Sequence, residues 1–144
     1  MMKNVSFLLC LIAAAVCAVG GCHSSSTVSN KEEMSRLKPL TVLYVSATNA
    51  LRHPPQSEDE FKKYIASQKG RLLDMMHVEK PDELFTSERD GQPYVIAYGP
   101  TPNGKPREVI AYEKVGVNGK RMVGYSTEIV SELDEEHFRQ VVPQ

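Results

Sequence analysis

The chain has no tryptophan, only 7% aromatic residues, three cysteines in 144 residues and a formal net charge of -1. A charge so near zero sets up no field that would draw in nucleic acid or an acidic membrane surface. Basic stretches interleaved with aromatics are missing as well, so the sequence predicts no nucleic-acid partner. With few aromatics, a core must rest on aliphatic residues helped by a few Tyr and Phe. There is also no apolar run of about 20 residues, the length that crosses the hydrocarbon core of a bilayer. The length fits one domain of ordinary size.

The longest apolar stretch present is Val5 to Val19, fifteen residues broken only by Ser6, with Lys3 ahead of it. A basic start, an apolar run of this length and small residues behind it make the layout of a secretory signal. A buried core helix would instead carry polar positions at helical spacing. Val19-Gly20-Gly21-Cys22 follows directly. It resembles the lipobox of bacterial lipoproteins, in the order aliphatic, small, small, Cys. The resemblance implies cleavage between Gly21 and Cys22 and transfer of a diacylglyceryl group to the Cys22 sulfur, which anchors the chain to a membrane. Val19 stands where that family usually has Leu. An Asp after the Cys is the usual inner-membrane retention signal in some bacteria, and His23 takes that position here, which favours the outer membrane.

Cysteine usage agrees with this expectation. Cys10 and Cys17 fall inside the segment to be removed, so Cys22 alone would survive and no internal disulfide could form. Residues 23 to 30, His-Ser-Ser-Ser-Thr-Val-Ser-Asn, are a polar low-complexity tether that cannot offset its own ordering entropy. The expected organisation is therefore a signal over 1–21, a lipidated Cys and tether over 22–31, and a single domain over 32–144.

From Glu32 to Leu51 the apolar positions Leu37, Leu40, Tyr44, Ala47 and Leu51 recur at helical spacing. Pro39 would delete a hydrogen bond inside such a helix, which predicts a start or a kink near it, and Arg52-His53-Pro54-Pro55 ends it. Ser57-Glu58-Asp59-Glu60 reads as a capping box for a helix from Glu58 to Lys69, with Ser57 accepting from residue 60, Glu60 reaching back, and Gly70 as the stop. Beyond Met76 the pattern changes to strands and turns. Tyr94 to Tyr98 is a strand with both faces apolar, and Gly99 to Pro106 is an irregular loop with three Pro and two Gly. Arg107 to Val117 and Lys120 to Tyr125 flank Asn118-Gly119, a strong hairpin signal. A short strand from Glu128 to Ser131 and a last helix, Glu135 to Val141 capped by Asp134, complete the order. Segregated helices and strands predict an α+β fold, with helices packed on a three- to four-stranded antiparallel meander and a short C-terminal helix.

Leu84 to Val95 resembles a stretch of small bacterial lipoproteins, as does Pro54-Pro55 before an acidic helix. Val109-Ile110-Ala111-Tyr112-Glu113 through Leu133-Asp134-Glu135-Glu136-His137-Phe138 resembles the C-terminal sheet of pseudopilin-like and prepilin-type processing-associated domains. The resemblance implies a strand, a hairpin, a further turn and an acidic helix. The departures are specific. Those domains carry a His and, after nine intervening residues, Asp-Gly, where this chain has Val117 and Thr127-Glu128.

No reaction chemistry emerges from the remaining residues. Ser57, Ser87, Ser126 and Ser131 lack a Gly-x-Ser-x-Gly context. His53, His77 and His137 are too dispersed for a zinc motif, and His77 beside Met75-Met76 reads as half-buried packing. Glu58-Asp59-Glu60 and Asp134-Glu135-Glu136 lie in first turns of predicted helices, where carboxylates favour the helix dipole. Asn103-Gly104-Lys105 lacks the rest of a phosphate loop. The sequence therefore predicts no catalytic residue, no cofactor and no metal. It points to a non-enzymatic, membrane-anchored envelope protein that binds a protein partner, or else to a pseudopilin-like secretion component or an accessory factor of an enzyme.

Overall fold

Ser35 opens the first described element of the computed structural model, which describes residues 35–68, 70–105 and 107–142. The signal, the Gly21–Cys22 cleavage site, the lipidation site and the tether lie outside the described residues. Ser35 Oγ accepts from the Leu37 amide at 3.2 Å, and helix α1 runs from Leu37 to Leu51. Pro39 sits at its third position, where the amide has no intrahelical acceptor in any case, so the helix begins close to Pro39 as the sequence predicts. Leu37, Leu40, Leu43, Tyr44 and Ala47 form its buried stripe.

Helix α2, Glu58–Ser67, is capped by Ser57 as its sequence predicts, with the Glu60 amide donating to Ser57 Oγ at 3.2 Å. Glu60 reaches one residue further back than a capping box requires and accepts from the Gln56 amide at 2.6 Å. The helix closes earlier than Lys69, because the Gln68 amide turns back onto the Ile65 carbonyl. A short helix, α3 (Arg71–Met75), follows, and a 3-10 turn, Pro81–Phe85, occupies part of the stretch beyond Met76 that reads as strands and turns in sequence.

Four strands follow in chain order and pair in that order: β1 (Val95–Ile96), β2 (Val109–Tyr112), β3 (Lys120–Tyr125) and β4 (Val130–Asp134), all antiparallel. The fold is the α+β meander that the sequence predicts, ending in α4 (Glu135–Val141). Three strands are corrected: β2 holds only Val109–Tyr112 of the run from Arg107 to Val117, whose far end returns as an isolated bridge between Val117 and Lys120. Only Val95 and Ile96 of the apolar run 94–98 find partners, in Tyr112 and Ala111. The last strand starts two residues later than its reading, because Glu128 lies in a turn at φ 63° and the Tyr125 amide closes on the Ile129 carbonyl.

Register explains how the sheet serves two covers. Val109 faces Tyr125 and Ala111 faces Gly124, so Ile110 is an extra residue in β2. This bulge lets Ile110 and Ala111 both enter the main core while Val109 and Tyr112 join the opposite face. On the first face α1, α2 and the 3-10 turn pack together, with Phe61 edge-on to Tyr44 and to Phe85 at 5.5 and 5.8 Å between ring centroids. Gly124 permits the approach of α1, since a Cβ there would collide with the Thr41 hydroxyl. On the second face Phe138 and Val142 pack over Val123, with Tyr112 edge-on to Phe138 at 5.2 Å.

Val117 and Lys120 exchange both backbone hydrogen bonds, at 2.8 and 3.1 Å, around Asn118 and Gly119. Both turn residues have positive φ, 55° and 71°, as a two-residue hairpin requires. A Cβ on Gly119 would meet nothing within 4 Å, so backbone conformation alone sets the cost of a side chain there. Gly119→Val is expected to lower stability by about 1–2 kcal/mol. A urea melt superimposable on that of the parent chain would contradict this.

Candidate functional site

The polar centre of the domain is a carboxylate that sequence reasoning passed over. Glu113, just past β2, is 0% exposed and lies on the core face of the sheet, two residues beyond Ala111. Its Oε1 accepts from the Ser87 hydroxyl at 2.8 Å, and its Oε2 accepts from the Met122 amide at 2.9 Å. Arg89 Nη1 stands 3.6 Å from Glu113 Oε2, while Arg89 Nη2 donates to Glu132 Oε1 at 2.7 Å. The Arg89 side chain is 9% exposed, so the pair is an internal one in low dielectric.

The segment 87–92 is built to hold this arrangement. Ser87 Oγ also accepts from the Arg89 amide at 3.1 Å, which curls the chain so that Arg89 points inward. Asp90 Oδ2 accepts from the Gly116 and Val115 amides at 2.8 and 3.3 Å, and Oδ1 accepts from the Gln92 amide at 3.0 Å. Burial pushes the Asp90 carboxyl upward, but these three amides more than offset it and hold it below its ordinary value. Every oxygen of Glu113 and Asp90 is engaged by the fold. The cluster braces the sheet against the loop and presents no open position for a substrate.

The other titratable candidates are scattered. His137 serves the cap of α4, its amide and Nδ1 lying 2.9 and 2.8 Å from Asp134 Oδ1. That contact lowers the Asp134 carboxyl and raises the His137 imidazole from their ordinary values. His77 corrects its sequence reading, since it is exposed and has φ 54° instead of packing half-buried. His53 lies beside Glu60 at 4.0 Å on the surface. Ser57 and Ser87 are spent on the cap and on Glu113. Among the described residues no three His, Cys, Asp or Glu come together as metal ligands, and no helix is long and apolar enough to cross a membrane.

What the domain offers outward is a sheet edge and a loop. Met122 directs its amide and carbonyl to Glu113, so the backbone groups of Arg121 and Val123 face Leu133 and Ser131 of β4. The alternation leaves the backbone groups of Val130 and Glu132 pointing away from β3, along an outer edge of the sheet. At the opposite end the loop after β1 is braced from within. The Gly99 amide donates to the Pro55 carbonyl at 2.8 Å, the Gly104 amide to the Thr101 carbonyl at 3.0 Å, and the Thr101 hydroxyl to the Lys105 carbonyl. Residues Pro102 to Lys105 form its exposed tip. Comparison of the chain with known protein families, with curated proteins and with solved structures finds no match.

Proposed function

We propose that this chain is a lipid-anchored protein of the bacterial cell envelope whose α+β domain binds a protein partner and catalyses no reaction. The observation that carries the reading is Val19-Gly20-Gly21-Cys22 set directly behind a fifteen-residue apolar run with a basic front. The domain supports it in a second way. Its buried ionisable groups are engaged in bracing the sheet, whereas its outer backbone edge at β4 and its exposed loop tip at 102–105 are features of the kind used to recognise partners.

Cys22→Ser is expected to abolish incorporation of labelled palmitate and to leave uncut precursor, because only the acylated Cys is a substrate for the lipoprotein peptidase. Mass spectrometry of the variant decides the matter. Efficient cleavage at another bond would sink the lipoprotein reading. A second reading, a pseudopilin-like component of a secretion system, is favoured by the run from Val109-Ile110-Ala111-Tyr112-Glu113 to the acidic helix at Glu135. Pull-down from solubilised envelopes separates the two, since a stoichiometric secretion-system partner would support the second.

A further inference from the structure

We propose that the cleft between α1 and the β2 side of the sheet binds a small carboxylate with an apolar body. The cleft has a volume of about 220 Å³; Tyr44, Val45, Pro54 and Ile110 line it together with Arg107, and the exposed Asn49 and Ser126 add polar side chains. Charge selects the ligand. Arg36, Arg89, Arg121 and Arg139 each have a carboxylate within 4.0 Å. Arg107 is half-buried and has none among the described residues.

What Arg107 has instead is orientation. Its Nη2 donates to the Tyr98 and Pro100 carbonyls at 3.2 and 3.4 Å, and its Nε donates to the Gly99 carbonyl at 3.5 Å. These neutral partners fix the guanidinium plane and leave its charge uncompensated. Nη1 has no acceptor among the described residues and is not sealed from solvent. A planar, fixed guanidinium with a free amino group suits a carboxylate.

The less exposed walls favour an apolar body, since the polar side chains of Asn49 and Ser126 lie at exposed positions. The Tyr44 hydroxyl is committed to the Ala97 carbonyl at 2.5 Å, and the Thr48 hydroxyl to the Tyr44 carbonyl at 2.9 Å. Neither has a proton left to donate to a polar body, and the side chains of Val45, Pro54 and Ile110 are hydrocarbon. The volume lies below the roughly 300–1,000 Å³ of pockets that enclose drug-sized molecules, which restricts the body to a short chain or a single ring.

Calorimetric titration of the full-length chain in neutral detergent, with benzoate as the probe, tests the site. One-to-one saturable binding is expected, at least tenfold weaker for neutral benzamide and at least tenfold weaker for acetate, which lacks the apolar body. Arg107→Gln should weaken benzoate at least tenfold, and Val45→Phe should abolish binding by filling the cleft. Thermal melts of both variants report whether they fold, and the three probes on the parent chain decide the matter if either does not. No saturable binding of benzoate, or equal binding of benzoate and benzamide, overturns the proposal. Acetate bound as tightly as benzoate overturns the apolar body. The anchor does not enter, so loss of the lipoprotein reading leaves this result standing.

Discussion

Glu113→Ala is expected to lower the unfolding free energy by about 3–5 kcal/mol, because it strands a buried guanidinium beside an empty space. The Arg89 side chain is 9% exposed, and its remaining ionic partner, Glu132, reaches only Nη2. The same change orphans the Ser87 hydroxyl and the Met122 amide, both buried donors. Folded domains hold about 5–15 kcal/mol in total, so a loss of this size should be plain in a urea melt. The paired replacement of Glu113 by Leu and Arg89 by Met removes both charges together, and more than half of the lost stability should return. If Glu113→Ala costs less than about 1 kcal/mol, the carboxylate is not buried against Arg89 in solution.

Phe61→Ala tests the other half of the core. The ring is fully buried, edge-on to Tyr44 of α1 and to Phe85 of the 3-10 turn, so it joins three elements that share no backbone hydrogen-bond ladder. Removing it takes away both the burial and the two aromatic contacts, and leaves a cavity that three separate elements would have to shrink to fill. A loss of about 3–5 kcal/mol is expected by thermal or chemical unfolding. Phe61→Leu, which keeps most of the volume, should cost less than half as much. Equal losses for the two variants would show that the site collapses freely and that α2 is loosely held.

Elements whose signals are local were legible in the sequence. Asp134 caps α4 at the predicted boundary, and Asn118-Gly119 turns the hairpin with both residues at positive φ. Ser57 starts α2 where the sequence places it. Elements set by partners were not. Ile129 reads as strand, yet it is 56% exposed at the end of a turn, and β4 begins only where Val130 meets Gly124. Arg71 to Met75 is too short for a helical period to show. Glu113 carried one signal, since alternation from Ala111 sets it on the inward face where a charge is out of place. Its counterparts, Ser87 and Arg89, are brought to it only by the folded loop, so the cluster could not be read from the sequence.

Because the strands pair in chain order, each partner is supplied soon after the strand that needs it. Helix α1 is supplied before any of them. Tyr44 can meet Phe61 once α2 is present, but Leu37 and Thr41 gain their contact at Gly124 only when β3 is present. Until then this stripe of Leu37, Leu40 and Leu43 is an apolar helix face without all of its sheet, the kind of transient surface on which partly folded chains aggregate. Local strand pairing shortens that interval, since a meander closes its contacts over short loops.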